Sequence, residues 1–238
     1  MKLDISRQIR KSMDLPIVGV IGATNPDVDY SRTQGIEVGY ALREYFDNKK
    51  GTIFTGGVDG VGVDVYTGVV KYCINAQFND GKLRDDKFFL LVPKFEMMHF
   101  VDEESERPKI VPYIPPQAYF ALSSLIGLNV LNKIVVGNDM AERRKYVGDV
   151  ADALIVVNGG FGTLDEAYQA LSSGNKVITL PQTGGAANVL GLVKRDKIPK
   201  ELLLNLRKNK MSFENLNLDL LYDSNSVGNM IKILDKEL

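Results

Sequence analysis

The stretch that most constrains this chain runs from Ala153 to Leu171. It opens on a continuous apolar run, Ala153 to Val157, with the length and β-branched content of a strand buried on both faces. It then breaks on Gly159, Gly160 and Gly162, where the backbone is free to take φ > 0 or to approach a ligand closely. Beyond the break, apolar residues recur at Leu164, Ala167, Tyr168 and Leu171, the spacing of one helix face. Strand, glycine turn and helix in that order aim the helix's unpaired first amides at whatever occupies the turn, which makes an anion site. Thr163 either caps the helix or donates to a phosphate. Glu166 lies within the first turn, beside the bound group; read blandly, it only complements the helix dipole. Three glycines within four residues favour the ligand site.

The same pattern recurs along the chain. Ile17–Ile21 reads as a first strand, ending at Gly22-Ala-Thr24; Thr24 offers a hydroxyl to a ligand or simply caps a turn. A polar loop from Asn25 to Ser31 leads to a helix with Val38, Leu42, Tyr45 and Phe46 on one face. Thr52–Thr55 is a second strand, followed by the glycine loop Gly56 to Gly62 and a helix spaced on Val61, Val65, Val69 and Tyr72. That loop nominates Gly56, Gly57 and Gly60 as further ligand contacts. Lys87–Val92, Lys133–Val136 and Lys176–Leu180 complete six strands around the one at 153. Alternation with helices predicts an α/β doubly wound parallel sheet of six or more strands with helices on both faces. The glycine loops all follow strands, where such sheets bind ligands, and the loop Gln182–Asn188 is expected to close the same pocket.

Residues 94–117 carry the acidic run Asp102–Glu106 and prolines at 108, 112, 115 and 116. They are expected to form no regular element and to be a solvated acidic loop inserted in a single domain spanning 1–238. Ala118, Leu122, Leu125 and Ile126 mark the next helix, and residues 189–238 read as two or three amphipathic helices with a break at Asp223–Ser226.

Composition excludes more than it suggests. A net charge of −1 gives no basic footprint, so nucleic acid is not an expected partner. Cys73 is the single cysteine, read as a buried thiol in a reducing compartment. His99 is the single histidine, which leaves a metal site or a Ser/His/Asp triad unsupported; no metal and no cofactor are expected. No apolar run approaches the ~20 residues of a membrane span, and Met1–Asp14 mixes charges throughout, so a cytoplasmic protein is expected. The turn at 159–163 lacks a P-loop lysine and the wider spacing of a dinucleotide fingerprint, which disfavours nucleoside triphosphate hydrolysis and hydride transfer.

Asn158-Gly-Gly-Phe-Gly-Thr-Leu-Asp-Glu166 resembles the Pro-Gly-Gly-x-Gly-Thr-x-x-Glu signature of the LOG family, once described as lysine decarboxylases. Met140-Ala-Glu-Arg-Arg144 followed by Ala151-Asp-Ala153 is similar to the family's upstream Met-x-x-Arg-Lys and Ala-Asp-Ala. The chain departs from the family at Asn158, which stands for proline, and in the 55–63 loop. There Thr55 replaces a first glycine, and Gly60-Val-Gly-Val63 replaces Gly-Leu-Met-Gly. The resemblance implies a Rossmann-like fold, a nucleotide or nucleotide-derived ligand, a homodimer or higher homo-oligomer, and Arg143 and Glu166 as catalytic residues. Arg144 is then a second phosphate contact or an exposed charge. The implied reaction is hydrolysis of a nucleoside 5′-monophosphate to free base and ribose 5-phosphate. The alternatives are a carrier or sensor that holds such a ligand without turning it over, as in molybdenum-cofactor carriers, and a less favoured DprA-like single-strand DNA binder.

Overall fold

A computed structural model of the chain describes residues 5–56, 60–80, 88–92, 110–113, 131–137 and 139–238. Eight strands form one sheet in the order β4-β5-β3-β2-β1-β6-β7-β8. They are β1 (Ile17–Gly22), β2 (Thr52–Thr55), β3 (Phe88–Val92), β4 (Ile110–Tyr113), β5 (Leu131–Val135), β6 (Ala153–Val157), β7 (Lys176–Leu180) and β8 (Leu221–Asp223). Every pairing is parallel except β4 against β5. The chain lays down β2 and β3 on one side of β1, then returns to place β6 on the other. The order therefore reverses between β1 and β6, and a crevice opens beyond their carboxyl ends.

The helices are α1 (Ile5–Lys11), α2 (Arg32–Tyr45), α3 (Val61–Asp80), α4 (Met140–Val150), α5 (Phe161–Ser172), α6 (Gly185–Lys194), α7 (Lys200–Lys208) and α8 (Val227–Glu237). They cover both faces of the sheet. Ile17 and Ile21 of β1, with Leu154 and Val156 of β6, pack under α1, α4, α5 and α6. Val18 and Val20, with Ala153, Ile155 and Val157, pack under α2, α3 and α8. This two-residue alternation inside an unbroken apolar run is the mark of a strand buried on both sides. Each valine, leucine or isoleucine among them contributes about 1.5–3 kcal/mol by burial. Helix starts follow local chemistry: the Ser31 amide donates to Gln34 Oε1 at 2.8 Å ahead of α2, and Ser226 Oγ accepts from the Asn229 amide at 3.1 Å at the start of α8. Cys73 is buried in the α3 side of the core.

Two expectations are corrected. Residues 110–113, placed in the irregular loop, form β4 with Pro112 inside it. As an edge strand, β4 is paired on one side alone, and there a missing proline N–H costs no second ladder. The C-terminal segment is not purely helical, because three residues, Leu221–Asp223, pair in parallel with β7. The expected helix at 118–126, His99, Gly57 and the rest of the 94–117 loop lie outside the described residues. No helix among the described residues is long and apolar enough to cross a membrane.

Candidate functional site

Above the switch point lies a cavity of about 300 Å³, at the lower end of the ~300–1,000 Å³ typical of ligand sites. The end of β1 and the loop after it give one wall, Ile21 to Asn25. Thr55 and Gly56 close the end of β2, Gly62 comes from α3, and Met140, Arg143 and Arg144 come from α4. Gly160, Gly162, Thr163 and Glu166 complete it from the turn after β6 and the first turns of α5. Gly160 is the N-cap of α5 and supplies no side chain, so none caps that helix, and Gly160, Gly162 and Thr163 at its start line the cavity.

Arg143 and Glu166 sit at the base of this cavity. Their helices pack side by side, and Arg143 Nη1 donates to Glu166 Oε1 at 2.6 Å, with both side chains at least 93% buried. Helix α4 starts where it does because Asp139 caps it, Oδ1 accepting from the Glu142 amide at 2.8 Å; this cap sets Arg143 one turn in. Burial pushes the Glu166 carboxyl above the ordinary carboxylate range, while Arg143 and, more weakly, Arg144 pull it back. The guanidinium of Arg143 lies against Gly56, where a Cβ would come within 1.7 Å of Nη2. Glycine at 56 is therefore what lets the arginine reach its partner. Arg144 stands nearer solvent, 3.9 Å from Asp165, and packs over Gly162. A carboxylate, two guanidinium groups and a helix N-terminus thus surround one small polar space. Among the described residues no three His, Cys, Asp or Glu side chains are grouped as a metal would require.

Residues 97–190 match the family model described as possible lysine decarboxylase. The matched segment holds both Arg143 and Glu166. Within that segment lie the stretches 140–144 and 158–166 that resemble the LOG signature. No curated protein matches it by sequence. Among solved structures it is similar to TM1055, a structural-genomics X-ray structure, at 20% identity and a TM-score of 0.56, covering 93% of this chain and 99% of that one. It is also similar to DNA processing protein A from Helicobacter pylori, described with a single-stranded DNA binding mode, at 15% identity and a TM-score of 0.51, over 92% and 80% of the two chains. The molybdenum cofactor binding protein of the phototrophic bacterium Rippkaea orientalis gives 18% and 0.50, over 93% and 96%. At these identities the likeness is one of fold.

The residues nominated from the sequence fall unevenly. Gly22, Thr24, Gly56, Arg143, Arg144, Gly160, Gly162, Thr163 and Glu166 line the cavity. Gly159 and Gly60 do not. Gly159 has φ +106, and Thr163 packs where its Cβ would be; Gly60, at φ +61, lies 2.3 Å by the same measure from the carbonyl oxygens of Ala23 and Thr24. Both shape the walls from behind. The Gln182–Asn188 loop does not close the pocket either. Pro181–Thr183 form a 3₁₀ turn and α6 begins at Gly185, with the Ala186 amide donating to Gly159 O at 2.6 Å and that of Ala187 to Asn158 O at 3.1 Å. The segment braces the glycine turn from outside. Asn25, Thr55, Gly62 and Met140 were not singled out from the sequence as contacts, although Thr55 and Gly62 flank or end a nominated loop and Met140 opens the LOG motif.

Proposed function

We propose that the chain is a nucleoside 5′-monophosphate phosphoribohydrolase, cleaving the N-glycosidic bond to free base and ribose 5-phosphate. The observation that carries this reading is the buried Arg143–Glu166 pair opening onto a cavity walled by the glycine turn of α5. The 5′-phosphate sits at the first amides of α5 beside Gly160, Gly162 and Thr163, with Arg144 adding a charge-assisted contact. The ribose then faces Glu166. As the C1′–N bond breaks, its electron pair leaves with the base and the sugar gains oxocarbenium character, which an adjacent carboxylate stabilises. Water adds to C1′, its proton passes to Glu166 and from there to solvent, and the departing base is protonated from solvent, so the carboxylate is restored for the next turnover. Arg143 opposes the upward pull of burial on the Glu166 carboxyl and orients it. Within this reading the protein is cytoplasmic, one Rossmann-like domain, and a homodimer or higher homo-oligomer, as the LOG resemblance implies.

The test is incubation with a panel of nucleoside mono-, di- and triphosphates and the matching nucleosides, reading free base by chromatography. Base release confined to monophosphates and lost in Glu166→Ala is expected. Tight nucleotide binding with no base released on long incubation would point instead to a carrier or sensor.

A further inference from the structure

We infer that Asn158 is a positioning residue, a latch that ties the loop after β1 to the glycine turn and so holds two walls of the cavity in register. The inference rests on the cavity being the nucleotide site proposed above. Asn158 is 1% exposed and has φ +54, a left-handed conformation that asparagine tolerates better than other residues with a side chain. Its side-chain amide donates to Asp27 Oδ1 at 2.7 Å and to Thr183 O at 2.7 Å, and its backbone amide donates to Thr183 Oγ1 at 2.6 Å. Two amide protons meet two acceptors, which fixes the orientation of the carboxamide. Three segments, following β1, β6 and β7, are joined at this one buried side chain.

The loop needs such a latch. Its start is held by the Val61 amide donating to Ala23 O at 3.0 Å, and its end by Tyr30 Oη donating to Asp64 Oδ2 at 3.0 Å. In its middle Val28 is 99% exposed and anchors nothing, and of the apolar residues between Asn25 and Asp29 Pro26 alone is half-buried. Asn158 holds that middle through Asp27, and the same loop presents Thr24 and Asn25 to the cavity. Gly184 leaves the space: a Cβ there would lie 2.9 Å from Asp27 Oδ1 and 3.2 Å from Asn158 Nδ2. The proline of the LOG signature cannot serve here. Its ring fixes φ near about −65°, and it has no N–H for Thr183. The asparagine is therefore a different solution to building the turn.

Hydrogen exchange read by mass spectrometry on the full chain tests the latch without any ligand. Asn158→Gly keeps the backbone conformation and deletes the amide, while Asp27→Ala deletes its acceptor. Each is expected to speed exchange about tenfold both at the Tyr30 amide, bonded to Asp27 O, and at the Ala186 and Ala187 amides, bonded to Gly159 O and Asn158 O, leaving the interior of α2 unchanged. The double variant should add little, and Asp27→Asn, which keeps an acceptor oxygen, should retain protection. AMP binding should weaken about tenfold in Asn158→Gly while kcat changes less than about threefold, because Arg143 and Glu166 are untouched. Faster exchange confined to Ala186 and Ala187 in Asn158→Gly, or full protection of both in Asp27→Ala, would overturn the latch. Should the wild type bind AMP without cleaving it, the hydrolase reading falls, and the exchange and binding ratios still decide on Asn158.

Discussion

Substituting alanine for Gly56 tests the buried ion pair without touching either member. No positive φ is required at 56, so the backbone accepts alanine. The new methyl would lie 1.7 Å from Arg143 Nη2 and 2.9 Å from Cζ. Restoring a contact of about 3.5 Å moves the guanidinium by roughly 1.8 Å. That is enough to break the 2.6 Å bond to Glu166 Oε1. The displaced arginine keeps access to water through the cavity, so the stability loss is about 1–2 kcal/mol and the Tm falls by a few degrees. Catalysis suffers more, because displacement by about 1 Å of a group that orients the reaction costs on the order of 100-fold. The assay is steady-state base release from AMP beside a thermal melt. A Gly56→Ala variant within about threefold of wild-type kcat/KM would refute the claim that the arginine's position governs the chemistry.

Other consequences follow from the same geometry. Burial raises the Glu166 carboxyl above its ordinary value of 4.5, so kcat/KM should fall on the acid side with a midpoint above 4.5, and Glu166→Gln should abolish activity at every pH. For stability the sign is opposite: the folded state holds that proton more tightly, so stability drops as pH rises from 4.5 through the folded value, and denaturant titrations of Glu166→Gln should show a flatter profile. Arg143→Ala strands the carboxylate and should cost about 3 kcal/mol at neutral pH, measured by urea unfolding. Gly160→Ala meets no atom within 4 Å, so its Tm should fall by no more than the few degrees an alanine N-cap costs, while the methyl on the cavity lining raises KM for AMP about tenfold.

Much of the sheet was legible because buried parallel strands announce themselves as short β-branched runs, as at Ile17–Ile21 and Ala153–Val157. Strand β4 was hidden by Pro112, whose penalty depends on whether a strand lies at an edge, a fact of topology rather than of sequence. Strand β8 was hidden by brevity, three residues held by their register with β7. At the site, the glycine turn and the arginine motif pointed to the cavity because each is a local pattern. Which glycines face the ligand was not local. Gly160 opens into the cavity, whereas Gly159 gives its space to Thr163, and only the tertiary path separates them. The bracing role of Thr183 and the latch at Asn158 depend on partners 25 and 131 residues away.

The most direct measurement is a single-turnover reaction of excess protein with labelled AMP, followed by separation of base, sugar phosphate and nucleotide. Adenine and ribose 5-phosphate should appear in equal amounts with wild type, while Glu166→Gln binds the nucleotide and leaves it intact. Recovery of uncleaved AMP from a wild-type complex, or equal cleavage by both proteins, would contradict a sugar-phosphate site worked by Glu166.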